Sequence, residues 1–109
     1  MGDLVYMSPE QTRGATEVEL RSDLYGLGAT VYALLTGRPP CVGATLVETI
    51  FKIRAEAPIK PTKYQMSIPA GFEGIVLKLL AKQPEDRHEN AVDLLKDLER
   101  IGQFNGVIV

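Results

Sequence analysis

Few residues in this 109-residue chain are equipped to do chemistry. Cys41 is its only cysteine, so an internal disulfide and a Cys-x-x-Cys metal pair are both out of reach. His88 is the only histidine, and a metal site would have to rest on carboxylates alone. Gly26-Leu27-Gly28 is the nearest approach to a phosphate-cradling loop. It lacks the third glycine and lies inside a helical pattern, so it reads as a place where helices pack closely. Cys41 reads as a small core side chain, and His88 as an exposed capping residue in a polar loop. Asp23 suits a helix N-terminus, where a carboxylate meets the positive end of the helix dipole. By spacing alone, Glu10 and Arg87 are two unrelated surface charges. No catalytic, cofactor-binding or metal-ligating residue emerges from the residues taken singly.

The elements that would position these residues read as helices almost throughout. Residues 1–7 read as an extended loop, and Ser8 then caps a short helix with Pro9 at its first position and Gly14 at its end. A second helix is expected from about Asp23 to Thr36, capped by Ser22 and stopped by Gly37 and the Pro39-Pro40 pair. A third covers about Thr45 to Ala55, with Leu46, Ile50 and Ile53 facing the core and Glu48 paired with Lys52 on the surface. Pro58, Pro61 and Pro69 keep the next stretch irregular. A fourth helix spans about Ala70 to Ala81 and buries Phe72, Ile75, Val76, Leu79 and Leu80. A fifth is capped by Asn90, buries Leu94, Leu95, Leu98 and Ile101, and ends at Gly102.

The second helix is apolar nearly all round, with only Asp23, Thr30 and Thr36 polar. Such a helix calls for burial on all sides, and four amphipathic partners hardly cover it. Gly26 and Gly28 each cost it about 1 kcal/mol relative to Ala, a loss best explained by close approach of other backbone. An exposed apolar patch around Leu24, Leu27 and Val31 is therefore expected, or its burial by a second copy of the chain. Composition is otherwise that of an ordinary soluble domain, with 45% hydrophobic and 24% charged residues and a net charge of -2. Nothing in that balance favours nucleic acid or an anionic membrane as partner. No apolar run reaches the ~20 residues of a membrane span, and the single cysteine suits a cytoplasmic setting.

Four stretches in order carry a family likeness. Gly2-Asp3-Leu4-Val5-Tyr6-Met7-Ser8-Pro9-Glu10-Gln11 resembles the end of the activation segment of a bacterial-type Ser/Thr protein kinase. Arg21-Ser22-Asp23-Leu24-Tyr25-Gly26-Leu27-Gly28 resembles the start of the kinase F helix, and Leu34-Leu35-Thr36-Gly37-Arg38-Pro39-Pro40 the loop after it. Leu80-Ala81-Lys82-Gln83-Pro84-Glu85-Asp86-Arg87 resembles the arginine motif before the last helix of the catalytic domain. The resemblance implies an all-α fold, the helical lower half of a kinase C-lobe, with about five helices around a central apolar helix. It covers residues 1–101 as a partial C-lobe and leaves 102–109 as a C-terminal tail.

The resemblance also implies roles. Gly2, Asp3, Leu4, Val5, Tyr6, Met7, Ser8 and Pro9 would form the loop that docks a peptide substrate. Glu10 and Arg87 would form a buried structural ion pair, and Asp23 would anchor the catalytic loop through backbone hydrogen bonds. Two positions depart from the pattern. Asp3 stands where the family has Thr, and would face the catalytic-loop carboxylate with like charge; Cys41 stands where the family has Phe. The nucleotide machinery of such an enzyme is a Gly-rich loop, a strand lysine, the H-R-D and D-F-G motifs, and their Mg²⁺ ligands. None of these motifs occurs in the chain. The implied function is thus a C-lobe fragment of a Ser/Thr protein kinase, inactive alone, that docks protein substrate and supports the catalytic loop of an intact parent using ATP and Mg²⁺. Its partners would be the rest of the kinase domain and the protein substrate, with self-association through the exposed central helix. The alternative is a noncatalytic helical interaction module derived from such a lobe.

Overall fold

Local signals set most helix boundaries in the computed structural model, which describes residues 4–14 and 20–104. Helix α1, Pro9–Thr12, begins with a reciprocal capping box. The Ser8 hydroxyl accepts from the Gln11 amide at 3.3 Å, and the Ser8 amide donates to Gln11 Oε1 at 2.9 Å. Before it, Leu4–Tyr6 is a single 3₁₀ turn rather than the extended loop expected, closed by the Met7 amide on Leu4 O at 3.0 Å. Helix α2, Leu20–Thr36, is longer than the sequence suggested. Ser22 lies inside its first turn and is not its cap, because the helix begins two residues earlier; its hydroxyl instead donates to the Glu10 carboxylate. Gly14 and Gly37 adopt φ of 84° and 79°, left-handed values that glycine tolerates, where α1 and α2 end.

Helix α3, Leu46–Ala55, is capped by Thr45, whose hydroxyl accepts from the Glu48 amide at 3.1 Å. Its inward residues are Thr49 and Ile53, with Ile50 half-buried; Leu46, expected inside, is exposed. The buried Thr49 hydroxyl is satisfied by Thr45 O and by the Gly43 amide, both at 2.9 Å. Glu48 and Lys52 sit 3.7 Å apart on the outer face. A second 3₁₀ turn, Pro61–Lys63, leads to α4, Ala70–Leu79, and a third, Pro84–Asp86, leads to α5, Ala91–Phe104. Asn90 caps α5 by accepting the Asp93 amide at 3.0 Å. The helix runs through Gly102 instead of stopping there. Leu95 is exposed, since it follows the inward Leu94 by about 100° around the axis.

The described residues contain no β-strand, and no helix among them is long and apolar enough to cross a membrane. The core lies mainly between α2 and α4, the helices most extensively packed on each other. One cluster joins Tyr25, Ala29, Tyr32, Val76 and Leu80; the other joins Leu24, Ile75, Leu79 and Leu94. Gly28 is where α2 and α4 come closest, since a Cβ there would lie 2.7 Å from Leu79 Cβ. At Gly28 the close neighbour is thus a side chain rather than the backbone expected, whereas at Gly26 it is backbone, with Tyr6 O 3.7 Å from where a Cβ would stand. Leu24, expected in an exposed patch, is buried, and Val31 is partly buried. Leu27, the third residue of that expected patch, is exposed, and the exposed apolar face of α2 joins it to Leu20 and Leu34, at seven-residue intervals. Leu34 is 80% exposed.

Candidate functional site

The capping box fixes α1, and α1 fixes the turn that precedes it. Val5, Ser8 and Pro9 point inward and are buried, while Tyr6 and Met7 stand on the surface. The loop candidates Leu4, Val5, Tyr6, Met7, Ser8 and Pro9 therefore form one rigid, partly apolar edge. Gly2 and Asp3 lie outside the described residues.

Glu10, the next residue, holds this edge to the far end of the chain. Arg87 Nη1 donates to Glu10 Oε2 at 2.7 Å and Nη2 donates to Oε1 at 2.9 Å, a two-pronged pair between residues 77 apart in sequence. The Arg87 side chain is 0% exposed. Its remaining N–H groups donate to Ala81 O at 2.8 Å, Arg21 O at 2.9 Å and Lys82 O at 3.4 Å. Its guanidinium carbon lies 5.0 Å from the Tyr25 ring centroid. A buried cation is costly unless every donor is met, and here each is. The Ser22 hydroxyl donates to Glu10 Oε2 at 2.6 Å. Burial by itself would raise the Glu10 pKa, but the Arg87 and Ser22 hydrogen bonds override it and bring it down to about 2.

A second tether comes from α3. Arg54 Nε donates to the Thr12 hydroxyl at 2.9 Å and Nη2 to Thr12 O at 2.6 Å, so α1 is gripped at both ends by arginines. Lys82 serves α3 in turn. Its Nζ donates to Ile53 O at 2.8 Å and Lys52 O at 3.2 Å, carbonyls in the last turn of that helix. It also lies 3.7 Å from Cys41 Sγ. Cys41 is buried, and burial pushes its thiol pKa up, which makes it an inert packing residue. Asp23 is exposed in the first turn of α2, with no side-chain partner among the described residues.

His88 is not the exposed cap that its polar loop suggested. It is 2% exposed, and its Nε2 lies 2.8 Å from Asp97 Oδ2 on α5. An ionised Asp97 accepts from Nε2–H, which leaves Nδ1 buried and without a partner among the described residues. Burial opposes the charge on Asp97, yet His88 and the neighbouring Arg100 hold its pKa below the ordinary value. Sequence reasoning missed this pair, as it missed Ser22, Arg54 and Lys82. Ser22 carried a signal, its place beside Asp23 in the family-like stretch. The Thr12–Arg54 contact spans 42 residues and leaves no local periodicity to read.

As for cofactors, no group of three or more His, Cys, Asp or Glu side chains among the described residues could hold a metal ion.

No family model matches the chain. It is 41% identical over 101 residues to serine/threonine-protein kinase PknB of Mycobacterium leprae (strain TN), a match covering 93% of this chain and 16% of that protein. It is 39% identical over 100 residues to serine/threonine-protein kinase PrkC of Bacillus subtilis (strain 168), covering 91% and 15%. It is 39% identical over 99 residues to the probable serine/threonine-protein kinase SCO3848 of Streptomyces coelicolor (strain ATCC BAA-471 / A3(2) / M145), again 91% and 15%. The chain therefore spans 15% to 16% of the length of these curated relatives.

Proposed function

Because the chain is homologous to one segment of the bacterial serine/threonine-protein kinases, we propose that it serves as the substrate-docking base of such a kinase's C-terminal lobe. In the intact enzyme, phosphoryl transfer from ATP to protein Ser or Thr needs a positioned acceptor peptide and a positioned catalytic loop. The edge formed by Leu4–Pro9 provides the first, with Tyr6 and Met7 facing the peptide. Asp23 provides the second, its free carboxylate accepting backbone N–H groups of the catalytic loop. ATP and Mg²⁺ are held by the remainder of the kinase, so the segment alone is inactive.

The observation that carries this reading is the Glu10–Arg87 pair, a desolvated two-pronged tether that holds the docking edge to the base of the helices. The apolar face of α2 at Leu20, Leu27 and Leu34 supports contact with the rest of the kinase domain, which would complete its burial. The same face supports a second reading, a noncatalytic module that associates with another copy or a partner through that helix. A cytoplasmic location accords with either.

The docking role is tested by NMR titration of the chain with a short Ser/Thr-containing peptide. Shifts confined to Leu4–Ser8 and the start of α2, and abolished by Glu10→Ala, are the expected result. Shifts confined to the Leu27–Leu34 face would favour the interaction module instead.

A further inference from the structure

The first turn of α2 is held at two consecutive residues by the same node. Arg87 Nη1 takes the Arg21 carbonyl at 2.9 Å, and Glu10 Oε2 takes the Ser22 hydroxyl at 2.6 Å. Ser22 is 2% exposed, and a buried helical serine usually returns its hydroxyl to its own helix's carbonyls. This one crosses to another element. The arginine pair defines the plane of the Glu10 carboxylate. The serine bond defines where that plane sits along α2. Ser22 points inward and the next residue, Asp23, points outward. Fixing Ser22 therefore fixes the direction in which Asp23 is presented.

We propose that Ser22 is a positioning residue that couples the docking edge to the Asp23 anchor: its hydroxyl locks the Glu10 carboxylate to the first turn of α2, so that edge and anchor are set by one junction. This deepens, and rests on, the docking reading above. The chemistry needs an O–H donor on a short side chain that reaches a carboxylate already engaged by a guanidinium. Alanine removes the donor without changing the helix, since it is the best helix former.

The test compares the wild-type chain with Ser22→Ala by carboxyl-carbon NMR across the pH range, with amide hydrogen exchange on the same samples. The Glu10 pKa rises from about 2 by roughly one unit, the size set by one lost charge-assisted hydrogen bond. Amide exchange at Tyr6–Ser8 and at Asp23 quickens together, while Ile75 and Leu94 in α4 and α5 keep their protection. Ser22→Cys, a weak donor of similar size, gives an intermediate Glu10 pKa and serves if the alanine variant is too unstable to titrate. A Glu10 pKa unchanged in a folded Ser22→Ala or Ser22→Cys chain overturns the proposal. So does faster exchange at the docking edge with none at Asp23. These readouts do not depend on peptide binding. A wild-type chain that binds no peptide but shows the coupled shifts would uphold the Ser22 role and count against the docking reading.

Discussion

Glu10 and Arg87 illustrate how little a single residue reveals before its partner is in place. Taken singly they are a surface acid and a surface base. Together they form the most desolvated ion pair among the described residues, with Arg87 at 0% and Glu10 at 20% side-chain exposure. Removing one partner strands the other, which costs about 3–5 kcal/mol for a buried pair. Glu10→Ala is expected to lower the unfolding free energy by that order in urea, because it leaves a buried guanidinium facing carbonyls alone. The pair also shapes the acid limb of stability. The Glu10 pKa falls from 4.5 to about 2 on folding, so the unfolded chain binds the proton more readily. Its stabilisation is complete above pH 4.5 and is lost as pH falls through that window toward 2. In Glu10→Gln, stability should therefore change less between those pH values than in wild type, as thermal midpoints across the range would reveal. An equally steep fall would mean that other carboxylates dominate.

At the scale of elements, the helices were legible because their signals are local. Ser8 with Gln11, Thr45, Asn90 and Gly37 act within one turn of the boundary they set, and the α4 stripe of Ile75, Val76 and Leu79 follows helical period. The misreadings at Ser22, His88 and Leu24 have one physical source, tertiary partners invisible to local pattern. Ser22 looked like a cap, but the helix starts before it and its hydroxyl donates to Glu10. His88 looked solvated until α5 brought Asp97 to it. Leu24 turned inward against Ile75, Leu79 and Leu94, and the exposed face kept Leu27 but is completed by Leu20 and Leu34. Gly28 is the element-scale test. A methyl group there would lie 2.7 Å from Leu79 Cβ, an atom fixed to the α4 backbone that has no freedom to swing aside. Gly28→Ala thus separates α2 from α4, and its better helix propensity does not compensate. A loss of about 1–3 kcal/mol is expected in chemical denaturation, the usual cost of overpacking. A neutral or stabilised variant would show that the α2–α4 contact is looser than its geometry implies.

For the whole molecule, the organisation is a set of helices tied by one buried and two half-buried cations. Arg87 joins α1, the start of α2 and the loop before α5; Arg54 joins α3 to α1; Lys82 joins the end of α4 to α3. That network leaves Tyr6 and Met7 on one edge and the α2 leucines on a face, both open for partners. The family was readable from four motifs in order, and the homology to kinases many residues longer agrees with it. The departure at Asp3 bears on what such an enzyme would do. The resemblance would set Asp3 near the catalytic-loop carboxylate, where like charges raise the cost of charging both, so Thr at that position is expected to favour transfer. The central claim, that this chain is an interchangeable docking base for a kinase, is tested most directly by a chimera. The segment replaces its counterpart in the Bacillus subtilis kinase PrkC, and transfer of radiolabelled phosphate to a Ser/Thr protein substrate is measured. A folded chimera that transfers phosphate, more so with Asp3→Thr and at least tenfold less with Glu10→Ala (about 1.4 kcal/mol), is the predicted result. A folded, nucleotide-binding chimera that transfers none, with or without Thr at position 3, would contradict it.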